Sequence, residues 1–145
     1  MEPSQRNSPW KKRALILLGL LLVIQLVPVD RSNPAITADF DAPPEIDAIL
    51  RRGCYDCHSN ETRWPWYTRI APVSWAVARD VAKGREGLNY SACGEIPDEA
   101  RAQLRKLTWS YVAEGSMPPR SYVWLHGDAE LTEDDLSRLR TWAGE

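Results

Sequence analysis

The hydrophobic pattern is most uneven near the start of the chain, where Ala14 to Val29 (ALILLGLLLVIQLVPV) holds one polar side chain, Gln25, in 16 positions. Wound as a helix at ~1.5 Å per residue, such a run reaches ~24 Å, a little short of a ~30 Å bilayer core. That length suits a secretory hydrophobic region or a short membrane anchor, and fits poorly with a buried core helix directly behind basic residues. Asp30, Arg31 and Ser32 follow in place of a small-x-small cleavage site, the nearest alternative near Thr37–Ala38 is distant, and no Cys follows to mark a lipoprotein. An uncleaved signal anchor over 14–29 is therefore expected. The next stretch, Pro28 to Pro44, contains four prolines and no periodicity, so 30–42 reads as an extended linker.

From 43 to 145 the pattern is helical, with no convincing strand, and the expected fold class is all-α. Pro43–Gly53 places Ile46, Ile49 and Leu50 at helical spacing and stops at a glycine. Ser74 is positioned to cap a helix with apolar Trp75, Ala78, Val81 and Ala82. A third helix spans about Pro97 to Glu114, with Leu104, Leu107 and Tyr111 inward and Gly115 as its stop. Thr132-x-x-Asp135 is a capping-box variant opening a last helix with Leu136, Leu139 and Trp142. Four short helices in a small domain bury little apolar surface unaided, so a large flat cofactor would complete the core.

Charge sharpens the topology. Residues 1–13 carry Arg6, Lys11, Lys12 and Arg13 against Glu2, whereas the remainder holds 14 basic and 19 acidic side chains. The positive-inside rule puts 1–13 in the cytoplasm and the domain outside, giving a single-pass inner-membrane protein with a periplasmic domain. The acidic body argues against nucleic acid as a partner.

Cys54-Tyr55-Asp56-Cys57-His58 is a CxxCH pattern, the signature of c-type haem attachment. In a helical turn, positions i, i+3 and i+4 share a face, so Cys54 and Cys57 can meet two vinyl groups while His58 reaches the iron from the same side. Two thioethers leave Cys93 as the odd cysteine, either a small inert residue or a disulfide link to a second copy. Rival readings are zinc held with Cys93 and His126, which lacks a second CxxC knuckle, and a redox dithiol, which lacks a βαβ context.

CYDCHSNETRWPWYTRIAPVSW, followed by GSMPPRSY and LTEDDLSRLRTW, resembles the bacterial haem-binding domain family of single-CxxCH proteins over about Pro43 to Trp142. Cys93 is a departure from that pattern. The order helix, CxxCH, loop, Met-Pro, C-terminal helix also resembles a class I cytochrome c, implying a cytochrome-c-like domain around one covalent haem c. Trp64, Trp66 and Tyr67 are expected on the haem face or in ordinary core. Arg63, Arg69 and Arg79 are expected near propionates or in solvent. Pro65 or Pro72 is expected to offer a carbonyl to Nδ1 of His58.

Strong second ligands to haem c are usually Met or His. The chain has two of each, Met1 is on the cytoplasmic side and His58 is already used, leaving Met117, His126 or an open position. Met117 lies in Gly115-Ser116-Met117-Pro118-Pro119, where the prolines hold it extended, and it is the expected ligand opposite His58. With no acid–base pair or nucleophile visible, the expectation is a single-electron carrier with a redox partner protein, and not an enzyme. A haem-based sensor or regulatory partner of a membrane complex, and a peroxidase-like protein with an open axial site, are the alternatives.

Overall fold

The computed structural model describes residues 9–145, so Met1, Glu2 and Arg6 of the expected cytoplasmic end lie outside the described residues. Within them run seven α-helices: α1 (Pro9–Ile24), α2 (Pro44–Gly53), α3 (Tyr55–His58), α4 (Val73–Gly87), α5 (Asp98–Ala113), α6 (Arg120–Leu125) and α7 (Glu133–Ala143). Two short 3-10 turns, Trp66–Arg69 and Gly127–Ala129, complete the set. The described residues contain no strand beyond an isolated bridge between Ala38 and Ala92, and the fold is all-α as expected. The chain forms two compact units: residues up to Arg31 with Trp64–Arg79, and Ser32–Arg63 with Asp80–Glu145.

In the first unit α1 buries no residue, and from Ala14 onward it is apolar all round, without the one-sided stripe of a surface helix. It stops at Ile24, short of the expected Val29. Pro28 has no N–H to offer the Ile24 carbonyl, and the chain leaves through turn bonds from Leu26 N to Val23 O (3.0 Å) and Val27 N to Ile24 O (3.4 Å). The one polar residue of the run has a structural task there. Gln25 Nε2 donates to the Leu21 carbonyl (2.9 Å) and the Ala71 carbonyl (3.2 Å), while its Oε1 accepts from Ala71 N (2.9 Å). Among the described residues no helix is long and apolar enough to cross a membrane.

The second unit contains the core. Ile46, Ile49 and Leu50 of α2 are buried with Phe40, Tyr55, Tyr90, Cys93, Val112 and Leu139. Tyr55 stacks on Tyr90 at 5.4 Å, and Phe40 meets Tyr90 and Trp142 edge-on. Phe40 corrects the expected linker. Thr37 and Ala38 both donate to the Ser91 carbonyl and Gly94 donates to the Ala38 carbonyl, so this stretch belongs to the folded domain. A single aromatic among prolines and acids carries no periodicity that would reveal such packing.

α2 begins with Pro44, has Glu45 and Asp47 in its first turn and Arg51 and Arg52 in its last, the charge order that opposes the helix dipole. The capping box of α7 is formed: Thr132 N donates to Asp135 Oδ2 (2.8 Å) and Asp135 N to Thr132 Oγ1 (3.2 Å). α5 ends at Ala113 with Glu114 as its C-cap, and the chain turns through Gly115 at φ +70°, a conformation costly for any residue with a Cβ. α4 begins at Val73, so Ser74 is buried within its first turn and does not cap it. α6 leaves no mark in the sequence pattern, since its six residues are too few to show an amphipathic period.

Candidate functional site

The site grows from the end of α2. Cys54 N closes that helix on the Leu50 carbonyl (2.8 Å), and the Cys54 carbonyl then accepts from Cys57 N (3.1 Å) and His58 N (2.9 Å). This single turn brings Cys54, Cys57 and His58 together, as i, i+3, i+4 spacing requires.

Nδ1 of His58 lies 3.0 Å from the Gly84 carbonyl oxygen and 3.2 Å from that of Leu88. Carbonyls only accept, so Nδ1 carries the proton and Nε2 keeps its lone pair for a metal. The expected donors of that carbonyl, Pro65 and Pro72, are thereby replaced by the end of α4. A glycine makes this approach feasible: a Cβ at position 84 would collide with the Cys57 carbonyl oxygen and lie 3.2 Å from Cys57 Cβ.

Cys54, His58 and Met117 share the wall of one cavity of about 250 Å³. Leu88, Tyr90, Leu107, Tyr111 and Val112 supply most of the remaining lining, which is overwhelmingly apolar. Leu107 and Tyr111, expected in the protein core, are 46% and 47% exposed because they face this cavity. Met117 is brought in by the turn after α5, where Ser116 N and Met117 N both donate to the Tyr111 carbonyl at 3.1 and 3.2 Å. A larger hollow of about 400 Å³ adjoins it, sharing Val112 and Met117 and lined further by Val123, Trp124, Leu131 and Leu136.

Asp56, inside the motif, is 6% exposed and fully engaged. It accepts from Arg63 N (2.9 Å), from the Arg63 guanidinium at both oxygens (3.2 Å each) and from Tyr122 Oη (2.7 Å). Arg63, expected near a propionate, thus sits against Asp56. Burial, then the bond to Asp56, pushes the Tyr122 phenol well above its ordinary range and keeps it a donor. His126 stacks on the Tyr122 ring at 4.1 Å, with Nδ1 3.0 Å from the Tyr122 carbonyl, and is not among the cavity-lining residues. Trp64, Trp66 and Tyr67 are not among them either; they fall in the first unit, where Trp66 is 74% exposed and meets Tyr67 edge-on at 6.0 Å.

Burial, followed by the neighbouring Cys57, pushes the Cys54 thiol up to about 12. Burial and Asp56 push Cys57 up to about 11. A redox dithiol needs the opposite shift in its attacking sulfur. Cys93 is buried in the core, and burial followed by Asp39 pushes it up to about 11. Among the described residues no three His, Cys, Asp or Glu side chains converge on a metal position, so Cys93 and His126 do not complete a zinc site with the motif. The residues present fit a haem: two thiols and an imidazole on one turn, of which Cys54 and His58 line the cavity, the Met117 thioether on the same wall, and an aliphatic and aromatic lining.

A small all-α domain that sets a Cys-x-x-Cys-His turn on the wall of an apolar cavity defines a haem-binding class of protein. The family model described as haem-binding domain matches residues 19–145, and the chain belongs to that family. No curated protein and no solved structure matches the chain. The residues that sequence reasoning missed are Gly84, Leu88, Tyr90 and Tyr122. Only Gly84 left a local trace, as a glycine interrupting a helical pattern, which usually marks close packing.

Proposed function

We propose that the domain holds one haem c through thioethers to Cys54 and Cys57, with His58 and Met117 as iron ligands, and works as a single-electron carrier. The observation that carries this reading is the shared cavity wall of Cys54, His58 and Met117, with Nδ1 of His58 held by the Gly84 carbonyl. Haem c bound there supplies a one-electron iron couple whose potential its ligands and burial set. Of the chain's own groups, the Gly84 carbonyl fixes the imidazole plane and its tautomer, and raises its basicity as a ligand. Leu88, Leu107 and Val112 give the cavity an apolar lining, and the bond between Tyr90 Oη and Thr108 Oγ1 (3.0 Å) satisfies the polar end of a buried ring that lines it.

The same reading tethers the protein to the inner membrane through the apolar segment 14–29, with the haem domain on the periplasmic side. Lys11, Lys12 and Arg13 supply the cytoplasmic anchor; the helical part of the segment ends at Ile24 and reaches only ~16 Å at ~1.5 Å per residue, so the tether also needs residues 25–29 and local thinning of the bilayer. The partner is a redox protein that meets an acidic domain.

The test is the purified holo-protein on a denaturing gel after acid–acetone extraction, with optical spectra of both oxidation states. Retained haem stain, lost in the double variant Cys54→Ala/Cys57→Ala, supports covalent attachment. Low-spin spectra insensitive to added ligands support electron transfer, and a readily ligated iron favours sensing or peroxidase chemistry instead. Carbonate washing of membranes tests the tether, since release of the protein into the wash removes it.

A further inference from the structure

We propose that Tyr122 is a positioning residue for Met117, latched to Asp56 so that the loop carrying the methionine is held against the Cys54–His58 turn. The proposal rests on the reading of Met117 as an iron ligand and adds the element that keeps it in place.

Three observations converge. First, the near end of the loop is tied to the end of α5 by backbone bonds, from Gly115 N to the Val112 carbonyl (3.0 Å) and from Ser116 N and Met117 N to the Tyr111 carbonyl (3.1 and 3.2 Å), none of which reaches the Cys54–His58 turn. Second, the chain runs from Met117 through Pro118 and Pro119 directly into α6, where Tyr122 N and Val123 N donate to the Pro119 carbonyl at 2.9 and 3.1 Å. Two prolines and one helical turn make a short stiff connection, so fixing Tyr122 fixes the far end of the loop. Third, α6 has no buried residue, and Trp124 is 85% exposed. Apolar burial therefore does little to hold this helix.

The Tyr122 Oη–Asp56 Oδ2 bond at 2.7 Å joins residues 66 apart and is charge-assisted. Its acceptor is already rigid. Asp56 sits inside the motif turn, its carboxylate is gripped by Arg63, and its backbone carbonyl accepts from Thr62 Oγ1 at 2.8 Å. The latch thus connects the Cys54–His58 turn with the Met117 loop through two side chains that are not among the cavity-lining residues. His126 stacks on the ring of the same side chain and leaves its hydroxyl bond to Asp56 untouched.

The experiment uses full-length holo-protein and Tyr122→Phe, which keeps the ring and its stack on His126 while removing the hydroxyl. Expected are unchanged covalent haem and unchanged helical circular dichroism. The near-infrared band of a Met–Fe(III) bond should weaken, and affinity for added imidazole should rise about tenfold, the effect of losing one bond to a charged acceptor. Asp56→Asn should move both readouts the same way. A merely structural role would lower the unfolding temperature and leave the band and the imidazole affinity of the folded protein as in the parent; that result overturns the latch. A parent protein with no such band overturns the Met117 reading and the latch with it, which separates the two failures.

Discussion

His58 and Gly84 are bound to each other by geometry from both sides: the imidazole Nδ1 donates to the Gly84 carbonyl at 3.0 Å, and the missing side chain at Gly84 is what lets α4 approach the backbone of Cys57. One residue therefore orients the ligand and permits the contact that does so. A helix element 26 residues downstream supplies what the motif itself cannot.

Gly84→Ala should reverse the usual sign of a helix substitution. In an open helix, alanine for glycine stabilises by ~1 kcal/mol. Here the new methyl meets backbone, which cannot rotate away, so a net loss of ~1–3 kcal/mol is expected. The midpoint of urea unfolding of the holo-protein measures it, and a parent-like or higher midpoint would contradict the packing described.

Met117→Ala should abolish the near-infrared Met–Fe(III) band and raise imidazole affinity by about tenfold or more, equivalent to ~1.4 kcal/mol of lost competition. His126→Ala should keep the band, because His126 is committed to the Tyr122 ring and carbonyl. The reverse pattern would transfer the ligand role to His126.

Asp135 carries a pH dependence with a definite sign. Burial alone would raise its pKa, but the bonds from Thr132 and the Arg52 guanidinium outweigh it and hold the carboxyl below its ordinary value. A carboxyl lowered on folding adds stability that is fully present above its unfolded pKa of ~3.9 and is lost as pH falls through the folded value. Asp135→Asn should cost ~1 kcal/mol at neutral pH, as cap losses do. That difference from the parent should shrink progressively below about pH 4. Paired thermal melts at pH 7 and pH 3.5 provide the check.

Cys93 should be silent in the native protein. With its pKa pushed up to about 11 and its side chain in the core, it should react with a thiol reagent at pH 8 roughly a hundredfold or more slower than in the unfolded chain. Non-reducing gels of native protein should show a monomer, and a disulfide-linked dimer would show that the thiol reaches the surface.

What the sequence by itself determined is whatever depends on residues a turn or two apart. The Cys54–His58 turn, α2 from its Pro44 start, the Thr132–Asp135 capping box and the Gly115 stop all follow from local spacing and backbone preference, and each is formed. The tertiary structure alone decided the rest. The Gly84 carbonyl and not a proline's accepts from His58 Nδ1, Phe40 leaves the expected linker for the core, Leu107 and Tyr111 turn to a cavity, and Asp56 meets Tyr122. These pairings join segments tens of residues apart. They arise from how helices pack and which polar groups must find partners once water is excluded, and no periodicity along one segment encodes the identity of its distant neighbour.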